Sequence, residues 1–184
     1  GEEILVDLAS ARPLNDLDLR YWNTADELHE HLLDALRLYL GVEEGDVASF
    51  NASLGMTTTD RGFPIVGDPS GAEAWQVLSP VRRNVWGVTE LNRWIQATWR
   101  RAELANARDP MKKAWVRPFG PAEIIRLDKV ILTENGERQG YDWSTRQRVD
   151  DYLANGEIGL CDNDKRAVGR IAKGEVMDVK FAGR

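Results

Sequence analysis

Trp75-Gln76-Val77-Leu78-Ser79-Pro80-Val81-Arg82-Arg83, continuing through Asn84-Val85-Trp86-Gly87 into Val88-Thr89-Glu90-Leu91-Asn92-Arg93-Trp94-Ile95-Gln96, is the stretch on which the reading of this chain turns. A short apolar run that ends in Ser-Pro, delivers two arginines into a glycine-bearing turn and then opens an amphipathic helix is how α/β proteins set cations at the carboxyl edge of a sheet. Phosphorylated ligands bind at that edge, and guanidinium there can reach a triphosphate or a DNA phosphate. Arg82 and Arg83 are therefore the candidate nucleotide-contacting residues, with ordinary surface arginine as the alternative.

Upstream, Leu17–Trp22 alternates as a strand does. Thr24-Ala25-Asp26-Glu27 then reads as a capping box opening a helix over 25–40, with an apolar stripe of Leu28, Leu32, Leu36 and Tyr39 and a stop at Gly41. The glycines and prolines of residues 41–72 predict an irregular insertion. A second strand over 74–79 and a helix over 88–101 complete a strand, helix, insertion, strand, helix order, which predicts an incomplete parallel-sheet α/β domain over 1–118. Beyond residue 118 the pattern changes to short alternating segments: Ile124–Arg126, Lys129–Thr133, Tyr152–Ala154, Glu157–Cys161, Val168–Ala172 and Val176–Phe181. Asn155-Gly156 between two of them predicts a type I′ hairpin, and the set predicts a small all-β barrel of SH3-like size over 119–184.

Charge is distributed unevenly along the chain. The net of −6 conceals −11 over residues 1–79, +6 over 81–118 and −1 over 119–184. In the middle block Arg82, Arg83, Arg93, Arg100, Arg101, Arg108, Lys112, Lys113 and Arg117 are interleaved with Trp86, Trp94, Trp99 and Trp115. Such a block can pair phosphates and stack bases. A solvated basic helix whose tryptophans face the core has the same pattern. The lone Cys161 excludes an internal disulfide and a cysteine-built zinc site, and no apolar run is long enough to span a bilayer, so a cytoplasmic location without membrane contact is expected.

Catalytic signatures are sparse. No G-x-x-x-x-G-K-[ST] phosphate loop occurs, so ATP hydrolysis by this chain alone is not expected. Asp26-Glu27-Leu28-His29 has the letters of a DExH box, yet it sits at a helix cap, and His29 and His31 stand on different sides of that helix and cannot share a metal. No catalytic acid, base, nucleophile or metal ligand is assigned.

The 75–92 element resembles the "VLSP-x-R…G…LN" motif in the second motor domain of superfamily I DNA helicases of the RecD-like, exodeoxyribonuclease V alpha-chain type. Arg82 stands at the family's arginine after Ser-Pro, Arg83 at its frequent second basic position, Gly87 at the turn glycine and Leu91-Asn92 at the leucine-asparagine pair. Leu127-Asp128-Lys129-Val130-Ile131 is similar to the family's "GDKVI" strand, with leucine replacing glycine, and Tyr152–Gly159 to its "YVANGEIG" hairpin. The resemblance is loose over 17–40 and close over 74–181, and 41–72 has no counterpart in it.

That resemblance implies a second RecA-like domain carrying an SH3-like insertion near the DNA path. Arg82 and Arg83 would face ATP, and Arg93, Arg100, Arg101, Lys112, Lys113 and Lys129 would face single-stranded DNA; for Lys129 a solvated strand residue is the alternative. ATP and magnesium would belong to the parent protein only, whose phosphate loop would lie upstream and an "HKAQG"-like motif downstream. Expected partners are single-stranded or unwinding DNA, the first motor domain of the same parent and subunits of a nuclease complex. The competing readings are a free-standing single-strand-binding module and a protein-interaction domain that docks a partner through the SH3-like barrel and the acidic first third.

Overall fold

The computed structural model describes residues 17–109, 111, 117–142, 145–162 and 177–182. Helix α1 (Ala25–Leu40) forms where its stripe predicts. Thr24 Oγ1 accepts the Glu27 amide at 3.2 Å and the Glu27 carboxylate accepts the Asn23 amide at 2.7 Å. The second of these bonds holds the Glu27 carboxyl below its usual range. Gly41, at φ 65°, ends the helix by returning its amide to Arg37.

Residues 41–72, expected to be irregular, contain helix α2 (Val47–Ser53), the antiparallel pair β1 (Met56–Thr58) and β2 (Pro64–Val66), and a 3-10 turn over Pro69–Glu73. Asp46 and Asp68 cap α2 and the turn through their carboxylates. Two of the segment's glycines serve packing: a Cβ on Gly71 would lie 2.6 Å from the Gly55 Cα, so two backbones meet where side chains would hold them apart.

Helices α3 (Val88–Trp99) and α4 (Arg101–Arg108) follow. The β half consists of a three-stranded antiparallel sheet in the order β3 (Lys129–Ile131), β6 (Ile158–Cys161), β7 (Val179–Phe181), and a two-stranded ribbon of β4 (Gly136–Asp142) and β5 (Gln147–Leu153). Every strand pair among the described residues is antiparallel, and they contain neither a parallel sheet nor a closed barrel.

Four local expectations differ from this arrangement, the first being Ile124–Arg126, which forms no strand beyond an isolated bridge of Ile124 to Phe119. The 17–22 segment forms no strand, because it docks on α1 through polar groups: Arg20 reaches Asp18, Asp34 and the His31 carbonyl, and His31 Nε2 meets the Tyr21 carbonyl at 3.1 Å. The 74–79 segment forms no strand either, and Leu78 stands 84% exposed. Asn155-Gly156 does not join two paired strands, since β5 pairs with β4 while β6 pairs with β3 and β7; only Gly156 has positive φ there. The expected strand at Val168–Ala172 lies outside the described residues.

One apolar core crosses residue 118. Leu36, Val42, Phe50, Leu54, Met56, Val66 and Trp99 pack together with Leu127, Ile158 and Leu160 from the β half. Trp99 stacks on Phe50 at 4.8 Å and donates its ring N–H to the Glu43 carbonyl at 2.9 Å, so the largest side chain of the core is both buried and hydrogen-bonded.

Candidate phosphate-binding loop and the fate of the basic block

The loop over 79–87 is tied by its own backbone. The Ser79 hydroxyl donates to the Trp86 carbonyl at 2.9 Å and accepts the Val81 amide at 3.3 Å, and the Gly87 amide donates to Asn84. The first two amides of α3 go to the Val81 and Arg82 carbonyls at 3.0 and 3.3 Å, so the loop caps the helix without a side chain. Gly87 makes this closure possible, because a Cβ there would lie 2.8 Å from the Arg82 carbonyl. Asn84 takes φ 148°, a conformation that a free chain rarely visits.

On this fixed loop Arg82 and Arg83 are exposed, and among the described residues neither guanidinium has a hydrogen-bonded or ion-paired partner. They stand at the positive end of the α3 dipole, where a cation is unfavourable and an anion favourable. Two guanidiniums unpaired among the described residues concentrate positive charge at that end, which an anion would neutralise. Beside them Trp86 is 39% exposed, its ring braced at 5.3 Å by Trp22.

The rest of the basic block behaves differently. Arg100 is a correction: it is 1% exposed, so it cannot contact a DNA strand. It lies where α3 ends and α4 begins, a junction whose inner side faces the core. Its Nη2 donates to the Leu127 carbonyl at 3.1 Å, its guanidinium carbon lies 5.1 Å from the Phe50 ring centre, and its Nε is 3.9 Å from the Asp128 carboxylate. Arg93 is exposed but paired with Glu90 at 2.6 Å, and Arg108 makes a two-pronged pair with Glu123 that raises its pKa. Arg101 is exposed; Lys112, Lys113 and Trp115 lie outside the described residues. Trp94 stacks on His29 at 4.4 Å and Trp99 is in the core, so these two rings are engaged inward.

Lys129 also turns inward. Its ammonium donates to the Trp75 carbonyl and lies 4.7 Å from the Trp75 ring centre, and burial pushes its pKa down to about 8. It ties the start of the arginine segment to β3.

Sequence reasoning missed the junction around Asp128. That carboxylate accepts Gln96 at 2.7 Å and the Ile125 amide at 2.9 Å, and burial raises its pKa while lowering that of Arg100, so desolvation outweighs their mutual attraction. The available signal was Leu127 standing where the resembled motif has glycine: Leu127 takes φ 74°, a left-handed conformation, with its side chain buried.

Among the described residues no cluster of histidine, cysteine and acidic side chains could hold a metal ion, and no helix is long and apolar enough to cross a membrane. No family model, no curated protein and no solved structure matches the chain.

Proposed function

We propose that this chain is part of the second, RecA-like motor domain of a RecD-like superfamily I DNA helicase with an SH3-like insertion, and that its own task is to present Arg82 and Arg83 to phosphate. The observation that carries this reading is the 79–87 loop: two guanidiniums without a partner among the described residues, on a backbone closed by Ser79 and Gly87, at the positive end of a helix. In the parent, a cytoplasmic ATP-dependent enzyme, closure of the cleft against the first motor domain sets Arg82 against the nucleotide's phosphates, and single-stranded DNA runs past the β half. Magnesium, like ATP, would be bound by the parent, held by one or two carboxylates and the nucleotide's phosphates.

The free-standing strand-binding alternative is weakened by the fate of the basic block, since Arg100 is in the core and Arg93 and Arg108 already have acidic partners. The test is a titration with inorganic tripolyphosphate and with a labelled single strand at about 50 and about 200 mM salt, salts between which phosphate contacts weaken steeply. Replacing Arg82 and Arg83 together by alanine should lower affinity for both probes at least about tenfold, the weight of a charge-assisted hydrogen bond or more. Equal binding by this variant and the parent chain would overturn the assignment.

A further inference from the structure

Trp86 is a partly exposed apolar ring on the same loop as two cations that have no partner among the described residues. A tryptophan left 39% exposed forfeits part of its burial, yet this one is fixed: its carbonyl is bonded to Ser79, and its ring is tilted 52° against Trp22. Flanking apolar groups are open as well, with Val85 and Val88 both exposed. Two exposed arginines and a partly exposed tryptophan on one short loop match a ligand that joins an anion to a flat ring, because the phosphate pairs with guanidinium while the ring stacks. A plain anion would use the arginines and leave the tryptophan idle, and an apolar peptide would leave the two cations unmatched.

We infer that the 79–87 loop binds a nucleotide unit, with its phosphates on Arg82 and Arg83 and its base stacked on Trp86. This rests on the phosphate-binding reading of the loop and adds base contact to it. A nucleotide unit can come from a single strand or from a free nucleoside triphosphate. Stacking tolerates any base, so the site should show little sequence preference. Trp22 acts as a positioning residue that keeps the Trp86 ring from swinging away.

The test uses four probes on the intact chain: an oligothymidylate, an abasic strand of the same length, ATP and inorganic tripolyphosphate. Trp86→Ala should weaken a base-bearing probe about tenfold, the loss expected on removing one stacking ring, and leave the abasic strand and tripolyphosphate unchanged. Trp86→Phe should restore most of the lost affinity, which separates stacking from a collapsed loop. Loss with oligothymidylate alone identifies a strand as the source; loss with ATP alone identifies the free nucleotide. If Trp86→Ala changes all four probes equally, or none, the base contact is overturned while phosphate binding stands. If the Arg82/Arg83 double variant leaves tripolyphosphate and the abasic strand unaffected, or nothing binds, the phosphate reading fails and the base contact with it.

Discussion

Arg82 and Arg100 stand at opposite ends of α3 and belong to one basic block, yet their surroundings are reversed. Arg82 lies before the helix, exposed, without an acidic partner among the described residues, at the positive end of the dipole. Arg100 lies after it, buried, near Asp128, between the negative end of α3 and the positive end of α4. The difference teaches that a block of cations in a sequence is a mixture: some arginines hold the protein together, and only those the fold leaves unpaired are available to a ligand.

The sharpest way to break this contrast is to remove Arg100. Alanine there strips a guanidinium from the Leu127 carbonyl and leaves Asp128 buried without its cation, which should cost about 3 kcal/mol, read as a lower urea midpoint. Arg100→Met combined with Asp128→Asn should recover much of that loss, because Arg100 Nε and Nη1 have no hydrogen-bond partner and the pair is mainly a desolvation burden. Strand affinity of the folded variant should be unchanged. A stable Arg100→Ala protein that loses its strand would reverse the roles assigned to the two ends of α3.

Leu127, whose carbonyl Arg100 holds, gives the next largest effect. Its side chain is in the core, so Leu127→Ala should cost about 2 to 3 kcal/mol. Its φ of 74° is one that glycine adopts freely and alanine does not, so Leu127→Gly should be about 1 kcal/mol more stable than Leu127→Ala, although glycine removes more. Equal or lower stability of the glycine variant in thermal melts would show that the backbone there is unstrained.

Helix α1 and its caps were legible in the sequence because their determinants are local: Thr24 and Glu27 act within its first turn, and Gly41 closes its last. In the β half the strands around Lys129–Ile131, Ile158–Cys161 and Val179–Phe181 were legible, but the β4–β5 ribbon was not, and neither was the pairing, since Asn155-Gly156 marks a turn without saying which strands it joins. Residues 41–72 were misread because Gly55 and Gly71 were judged singly, whereas their role is a contact between them. At the site, the arginine loop announced itself through Ser-Pro, two arginines and Gly87. Burial of Arg100 was invisible because it depends on Phe50 and Leu127, both far away in sequence.

Lys129 sits between the two extremes, partly buried and tied to Trp75, and its pH dependence sharpens the comparison. Its pKa in the folded chain is about 8, below the ordinary 10.5, with burial as the cause and Glu73 opposing it. Between those values the unfolded chain keeps a proton that the folded chain has released, so stability should rise as pH goes from about 8 toward about 10.5. Below about 8 both states are protonated and the burial cost is carried in full. After solvent screening the gain should be on the order of 1 kcal/mol. Lys129→Met should remove this rise, seen as urea midpoints that no longer separate between about pH 7.5 and about pH 10.

Arg82 should give the smallest effect on stability. With no partner among the described residues, Arg82→Ala removes no internal bond and relieves like charge at the positive end of α3, so the urea midpoint should move by no more than about 0.5 kcal/mol, and upward if at all. That small change is itself diagnostic. A residue on a closed, partly strained loop that does nothing for the fold is kept in place by the loop for something outside the molecule, whereas Arg100, in a comparable amount of sequence context, is kept for the inside. A midpoint lowered by more than about 1 kcal/mol in Arg82→Ala would mean that the guanidinium has an internal role after all, and the two ends of α3 would then differ in degree and not in kind.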